Sequence, residues 1–239
     1  MGHAFELPHE AAVAATPEQV WDAISTGPGI TSWFMGRSEV EGGVVRTAFG
    51  GYELPDSAVT AADPPHRFAH SSDPAGDGRF VAYEFLVEGR ERGSTVVRLV
   101  TSGFLPGDDW QDEFEAMSRG LEMYFATLVE YLGHFAGRTA TPVTEFGPPV
   151  RDWARAWEAV YAELGGRPAP GDRVRLGPAE GVVYHVNPQA IGIRSGHAVH
   201  RVLQGFGGSM IASHLLYAGD DGEGPAWRAW LERLHRDEE

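Results

Sequence analysis

Residues 95–132, TVVRLVTSGFLPGDDWQDEFEAMSRGLEMYFATLVEYL, decide the fold, because the hydrophobic period changes within them. Residues 95–102 are a strand candidate, and the turn residues Pro106 and Gly107 follow. Beyond that turn, apolar residues recur at every third or fourth position as far as Leu132, and acidic residues crowd the start of the segment. This period and this charge distribution are typical of an amphipathic helix. We therefore predict a long helix over 109–133 at the end of a sheet.

The sheet is predicted from segments upstream of this helix, each bounded by residues that favour turns. Within residues 79–88, Val81, Tyr83, Phe85 and Val87 alternate onto one face, as a half-buried antiparallel strand requires. The predicted strands are residues 5–14, 38–41, 44–50, 58–62, 67–71, 79–88 and 95–102.

Two short helices are predicted between the first and second strands. Thr16 is a suitable N-cap, Pro17 fits the first helical position, and Gln19 lies where a capping box needs it. A second helical turn is expected over 30–34, after the glycine–proline break that precedes it.

Residues 139–239 are predicted to form a separate region. Three prolines among small polar residues indicate a linker over 139–150. The predicted elements after it are a helix over 152–164, strands over 172–176, 181–186, 190–194, 198–204 and 210–217, and a helix over 225–235. We expect an α+β protein with domains at 1–138 and 151–239, the second a smaller α/β appendage of helix, meander and helix.

The N-terminal part resembles a known family. Residues 15–25, ATPEQVWDAIS, followed by Trp33-Phe34, resemble the START/SRPBCC (Bet v-type) superfamily, and in particular its branch named after the activator of heat-shock-protein ATPase homologue. Residues 53–59, 95–104 and 120–132 are similar to the same branch, so the resemblance covers about residues 5–137. It implies a helix-grip fold: a curved antiparallel sheet wrapped on a long C-terminal helix around an apolar cavity. Members of the superfamily bind lipids, hormones, polyketides or flavonoids, catalyse cyclisation, dehydration or hydrolysis, or sequester toxic metabolites.

Composition excludes several kinds of chemistry. The sequence has no cysteine and no lysine, which removes disulfides, thiolate nucleophiles, cysteine metal sites, Schiff bases and a P-loop lysine. Its ten histidines show no metal-ligand spacing, so we expect no metal and no cofactor. A net charge of −15 disfavours nucleic acid and anionic membrane surfaces. No secretory signal or membrane span is visible, so we expect a cytoplasmic protein. The use of arginine as the only strongly basic residue indicates a GC-rich bacterial genome.

A ligand pocket is predicted where the aromatic face of the 79–88 strand meets the aromatic face of the long helix. We expect these two elements to bound a cavity of about 300 Å³ or more, with an apolar wall and a few polar anchors. The candidate lining residues are Trp33, Phe34, Tyr52, Tyr83, Phe85, Trp110, Phe114, Met117, Leu121 and Tyr124.

The leading functional hypothesis is binding of a small apolar metabolite, most simply an aromatic one, without covalent chemistry. A cofactor-free enzyme (cyclase, dehydratase or hydrolase) that acts on such a ligand through histidine, tyrosine or carboxylate groups is the first alternative, with Tyr52, Tyr83 and Tyr124 as acid–base candidates. His66 and His70 lie next to turn residues, where histidines are usually solvated. A structural or partner-binding module with a filled core is the second. The sequence is compatible with a homodimer.

Overall fold

The computed structural model describes residues 2–90, 93–108, 110–205, 207–218 and 222–234. The chain divides into two units, Met1–Thr139 and Ala140–Glu239, each with its own sheet. Every paired strand in both sheets is antiparallel to its neighbour in the part of the chain that is described. The architecture is α+β, and the N-terminal unit has the helix-grip fold.

The N-terminal unit follows the predicted order of elements, with a two-residue strand, β4, added. These elements are β1 (His3–Val13), α1 (Pro17–Ser25), α2 (Gly27–Thr31), β2 (Arg37–Glu41), β3 (Val44–Phe49), β4 (Tyr52–Glu53), β5 (Ser57–Asp63), β6 (Arg67–Ser72), β7 (Phe80–Gly89), β8 (Thr95–Leu105) and α3 (Trp110–His134). The strands lie in the order β1-β8-β7-β6-β5-β3-β2, and β4 pairs with β3.

The start of α1 confirms the predicted capping box. The Thr16 hydroxyl accepts a hydrogen bond from the Gln19 backbone N–H at 3.3 Å, and the Gln19 side chain accepts one from the Thr16 N–H at 2.9 Å. Two of the N–H groups that a helix start leaves unpaired are satisfied in this way.

The long helix α3 runs along β1 in the same direction. Its first turns bring Trp110 onto the His3 ring, with centroids 3.9 Å apart, and Phe114 against Phe5 at 5.9 Å. Further along, α3 buries Leu128 and Leu132 in the core of the unit. The helix thus closes one side of the sheet, as the helix-grip arrangement requires.

The C-terminal unit places two helices against a six-stranded sheet. Its elements are β9 (Thr141–Pro149), α4 (Trp153–Glu163), β10 (Arg173–Leu176), β11 (Ala179–Asn187), β12 (Ala190–Arg194), β13 (Ala198–Gln204), β14 (Ser209–Leu216) and α5 (Glu223–Leu234). The strand order is β10-β11-β12-β13-β14-β9. Trp157, Trp227 and Trp230 from the two helices are buried in its core.

The expected linker over 139–150 is wrong, because most of it forms strand β9. This strand pairs with β14 from Thr141↔Leu216 to Pro149↔Ser209 and lies at the edge of the sheet. An edge strand uses only one row of its backbone groups for pairing, so it tolerates prolines that an internal strand excludes. Pro142, Pro148 and Pro149 therefore mark an edge here, and the second unit begins before residue 151.

Glu163 at the end of α4 holds three elements of the C-terminal unit together. Its Oε2 accepts a hydrogen bond from the indole Nε1 of Trp230 in α5, and its Oε1 accepts one from the Gly177 N–H between β10 and β11, both at 2.8 Å. Trp230 is 1% exposed, so an indole N–H that loses this partner is left buried and unsatisfied.

We expect Glu163→Ala to destabilise this unit by about 2 kcal/mol, the usual cost of orphaning a buried donor. Hydrogen exchange of the α5 amides measures the change. Glu158→Ala is the matched control, because Glu158 is exposed on the same helix and makes no hydrogen bond within the described residues. Equal protection in the two variants would show that the Glu163 hydrogen bonds contribute nothing.

Candidate functional site

Trp33 and Phe34 follow α2 and form one wall of an aromatic cluster in the N-terminal unit. The Trp33 indole Nε1 donates a hydrogen bond to the Ala23 carbonyl in α1 at 2.9 Å, which fixes the ring. Its indole meets Phe85 of β7 edge-on, with centroids 6.0 Å apart and planes at 78°. The Phe34 ring lies 5.2 Å from Trp33. Trp33 is therefore held in place by its hydrogen bond, and Phe34 packs against it.

The opposite wall is a cross-strand pair of rings, His70 on β6 and Tyr83 on β7. The two residues are directly opposite in the β6–β7 register, and their rings stack with centroids 5.0 Å apart and planes at 25°. Phe34 meets Tyr83 edge-on at 6.0 Å, and Tyr124 from α3 reaches Phe34 at 5.0 Å. Directly opposed residues share one face of a sheet, so His70 and Tyr83 face the cluster together.

Two adjoining spaces lie among these rings. The inner one has a volume of about 20 Å³ between Trp33, Phe85 and the helix residues Ile24 and Ile30, which is room for about one water molecule. The outer one has a volume of about 210 Å³. Its lining residues are Phe34, Val45, Thr47, Leu54, Pro55, Ser57, His70, Ser72, Val81 and Tyr83.

This arrangement corrects the expected cavity in size and in position. The larger space is below the predicted 300 Å³, and the described residues that line it come from β3, β5, β6, β7, the segment after α2 and the segment before β5. The long helix α3 forms no part of that lining. The physical reason is that α3 lies along β1, where side chains of the two elements fill the interface.

The polar groups of the cavity are uncharged at neutral pH. Burial lowers the pKa of His70 to about 4, and the His70 Nδ1 atom is buried without a hydrogen-bond partner among the described residues. Burial, with a contribution from the nearby Tyr124 hydroxyl, raises the pKa of Tyr83 to about 12. A cavity of this kind favours a neutral ligand that can satisfy one buried nitrogen.

The structure brings together only some of the predicted site residues. Trp33, Phe34, Tyr83 and Phe85 line the two spaces, and Tyr124 contacts Phe34 from α3. The prediction for Tyr52 is corrected, because its side chain is 69% exposed on the short strand β4. This exposure also removes Tyr52 as a candidate for acid–base chemistry in the cavity.

The predictions for the first half of α3 are corrected as well. Trp110 and Phe114 contact His3 and Phe5, away from the cavity, and Met117 and Leu121 do not reach the cavity lining. All four lie on the turns of α3 that precede Tyr124.

His70 lines both spaces but is absent from the predicted lining residues. It lies within the strand predicted over 67–71, and β6 extends one residue further, to Ser72. The alternation of Phe68, His70 and Ser72 was the available signal, because alternate residues of a strand share a face and Phe68 is apolar. Thr47 and the segment from Leu54 to Ser57 carried no comparable pattern.

No metal site accompanies these residues in the part of the chain that is described, since no three histidine, aspartate or glutamate side chains there are arranged to hold an ion. Among the described residues, no helix has both the length and the apolar character to cross a bilayer.

Comparison with known proteins places the N-terminal unit in a family. The family model described as activator of Hsp90 ATPase homolog 1-like protein matches residues 14–133. A search of curated proteins finds no match. Similar solved structures include the Aha1 dimer from Colwellia psychrerythraea, at 21% identity over 54% of this chain and 96% of that chain, with a TM-score of 0.43.

Two further solved structures are similar. CalU16 from Micromonospora echinospora shares 19% identity over 54% of this chain and 76% of that chain, with a TM-score of 0.41. The di-domain ARO/CYC BexL from the BE-7585A biosynthetic pathway shares 14% identity over 92% of this chain and 86% of that chain, with a TM-score of 0.47.

Proposed function

The chain belongs to the family of activator of Hsp90 ATPase homolog 1-like proteins, and we propose that its N-terminal unit binds a small, neutral, aromatic molecule in the 210 Å³ cavity. The observation that carries this proposal is the combination of aromatic walls with the unpaired His70 Nδ1. Ligand sites are usually apolar clefts with a few placed polar groups.

The size of the cavity limits the ligand. Drug-sized molecules occupy pockets of roughly 300 Å³ or more, so about 210 Å³ suits one or two fused rings. Phe34 and Tyr83 meet edge-on in the cavity wall, and an aromatic ligand can make edge-on or offset-stacked contacts with such rings, the geometries that aromatic pairs prefer. Leu54, which is 36% exposed, lies where the cavity lining is open to solvent.

The pKa of His70 favours binding over acid–base catalysis. An effective general base has a pKa near the working pH, whereas burial holds the pKa of His70 at about 4. Tyr83, with its pKa raised to about 12, is an equally poor acid at neutral pH. The two groups are therefore better suited to hydrogen bonding than to proton transfer.

Indole and indene provide a matched pair of probes, because they have nearly the same shape and only indole has an N–H group. We expect the full chain to bind indole about tenfold more tightly than indene, since a hydrogen bond to the otherwise unpaired His70 contributes roughly 1–1.5 kcal/mol. Isothermal titration calorimetry at pH 7 measures both affinities. His70→Phe, which keeps a ring against Tyr83, is expected to abolish the preference for indole.

Two leucine variants locate the site. Leu54→Asp puts a carboxylate into the cavity lining and is expected to weaken both probes at least tenfold, because a charge there must stay hydrated. Leu86→Asp is the control, since Leu86 is 37% exposed on β7 and does not line the cavity. Equal effects of the two variants, or full retention of the indole preference in His70→Phe, would contradict the proposal.

The other expectations for the function stay predictions. These are the absence of a cofactor, a cytoplasmic location and association of two copies of the chain.

A further inference from the structure

The C-terminal unit carries an open groove beside α4, with a volume of about 540 Å³. Trp153, Trp157 and Tyr161 of α4 form one wall, in which Trp153 and Tyr161 are half-buried and Trp157, between them, is buried at the base. They are spaced four residues apart, which places neighbouring rings about 6 Å apart along one face of a helix. The Trp157 and Tyr161 ring centroids are 5.9 Å apart, with their planes at 32°. The aromatic surface that the wall offers a ligand therefore comes mainly from Trp153 and Tyr161.

Carboxamide side chains form the facing wall. Gln189 lies in the turn between β11 and β12, and Gln204 ends β13; the Gln204 N–H donates to the Gln189 carbonyl at 2.8 Å, so the two residues are adjacent. Asn187 shapes the turn, because its Oδ1 accepts a hydrogen bond from the Gln189 N–H at 3.0 Å. The side-chain amides of Gln189 and Gln204 make no hydrogen bond within the described residues.

Charge in the groove is balanced. Of its described lining residues, Glu158 and Arg167 carry opposite charges, and the Arg167 guanidinium lies 5.1 Å from the Tyr161 ring centroid. A phosphorylated or strongly anionic ligand would meet no excess of positive charge here. At the base of the aromatic row, Trp157 is 6% exposed, and its Nε1 has no hydrogen-bond partner among the described residues.

We propose that this groove binds a neutral oligosaccharide. A sugar ring presents C–H groups on its faces, which lie against the electron-rich faces of aromatic rings, and hydroxyls at its rim, which both donate and accept hydrogen bonds. Carboxamides both donate and accept as well, so Gln189 and Gln204 match those hydroxyls. A purely apolar ligand would bury the two amides unpaired. The groove volume of about 540 Å³ lies within the range of roughly 300–1,000 Å³ that ligand pockets have.

The site is tested with cellotriose and maltotriose as probes of the full chain. We expect saturation transfer from protein to at least one trisaccharide, with quenching or enhancement of tryptophan fluorescence on titration. Gln189→Leu and Gln204→Leu are each expected to weaken binding at least fivefold, because they keep side-chain bulk and remove the amide. Trp153→Leu is expected to weaken it about tenfold. Gln111→Leu, at an exposed position of α3, is the matched control and is expected to change nothing.

We expect the two glutamine variants to fold normally, because both glutamines are half-buried at the groove rim and lie outside the tryptophan core. A loss of binding in these variants therefore reports on the groove and not on unfolding. Absence of saturation transfer to both trisaccharides would overturn the proposal. So would unchanged affinity in all three groove variants. Binding of adenosine or a proline-rich peptide at Trp153, with no competition from either sugar, would also overturn it and assign the groove to another ligand class.

Discussion

Lowering the pH from 7 to 4 is expected to destabilise the C-terminal unit by about 3 kcal/mol through His200 alone. This side chain is 4% exposed on β13, and burial, with a smaller effect of His197, lowers its pKa to about 4. Its ring lies 5.2 Å from His214 and 5.9 Å from Trp227, and its Nδ1 is 3.6 Å from a Glu223 carboxylate oxygen. The unfolded chain, with a histidine pKa near 6.5, takes up the proton first.

Because the unfolded chain binds the proton at a higher pH than the folded chain, acidification favours unfolding. Above about pH 6.5 both states are neutral at His200 and stability is unaffected, and stability then falls as the pH drops towards 4 and levels off below it. His214 acts in the same direction, because burial, His200 and Arg201 hold its pKa well below the usual value.

Hydrogen exchange of β13 and β14 amides between pH 7 and 4, corrected for the intrinsic rate, measures this dependence. His200→Phe is expected to remove most of the His200 contribution and leave the remainder to His214. His197→Phe changes an exposed histidine nearby and is expected to keep most of the dependence, because burial is the larger cause of the lowered His200 pKa. Identical pH profiles for the chain with His200 and the chain with Phe at this position would refute the assignment.

Gly29→Ala is expected to destabilise the N-terminal unit by about 3 kcal/mol or more, at the upper end for overpacking. A methyl group on Gly29 of α2 would lie 1.9 Å from the Asp22 carbonyl oxygen and 2.9 Å from Ala23 Cα. Both atoms belong to the backbone of α1, so no side-chain movement relieves the overlap. Displacement of α2 would also move Trp33 and Phe34, and indole affinity is expected to fall with stability.

Gly120→Ala is the control with the opposite expected sign. Gly120 lies within α3, and a methyl group there meets nothing within 4 Å. Alanine at an open helical position stabilises by roughly 0.5–1 kcal/mol relative to glycine. Hydrogen exchange of α1 and α3 amides measures both variants, and a neutral Gly29→Ala would show that α2 can shift away from α1 at little cost.

The elements of the N-terminal unit were predictable because their signals are local. The long helix expected over 109–133 is Trp110–His134, and its period, acidic start and preceding turn all lie within the element. The capping box at Thr16 and Gln19 is equally local. Strand β9 was not predictable in this way, because its partner β14 is distant in sequence and its prolines indicate a linker until that pairing is known.

The cavity was harder to predict than the fold for a related reason. Aromatic residues on α3 have the same helical spacing whether they face a cavity or β1, and only the position of α3 along β1 decides between the two. The position of His70 depends on strand pairing: it lies directly opposite Tyr83, and this pairing places both rings on the cavity face of the sheet. Neither fact is contained in the hydrophobic pattern.

The pairing of β9 with β14 has a consequence for synthesis of the chain on the ribosome. The N-terminal sheet can form once β8 has emerged, but β9 is made first in its unit and must wait for β14, which is made last among the strands. Contacts between residues so far apart in sequence slow folding, and unpaired strand edges promote aggregation in nascent chains. Pro142, Pro148 and Pro149 cannot donate backbone hydrogen bonds, so they protect β9 from pairing with a neighbouring nascent chain during that interval.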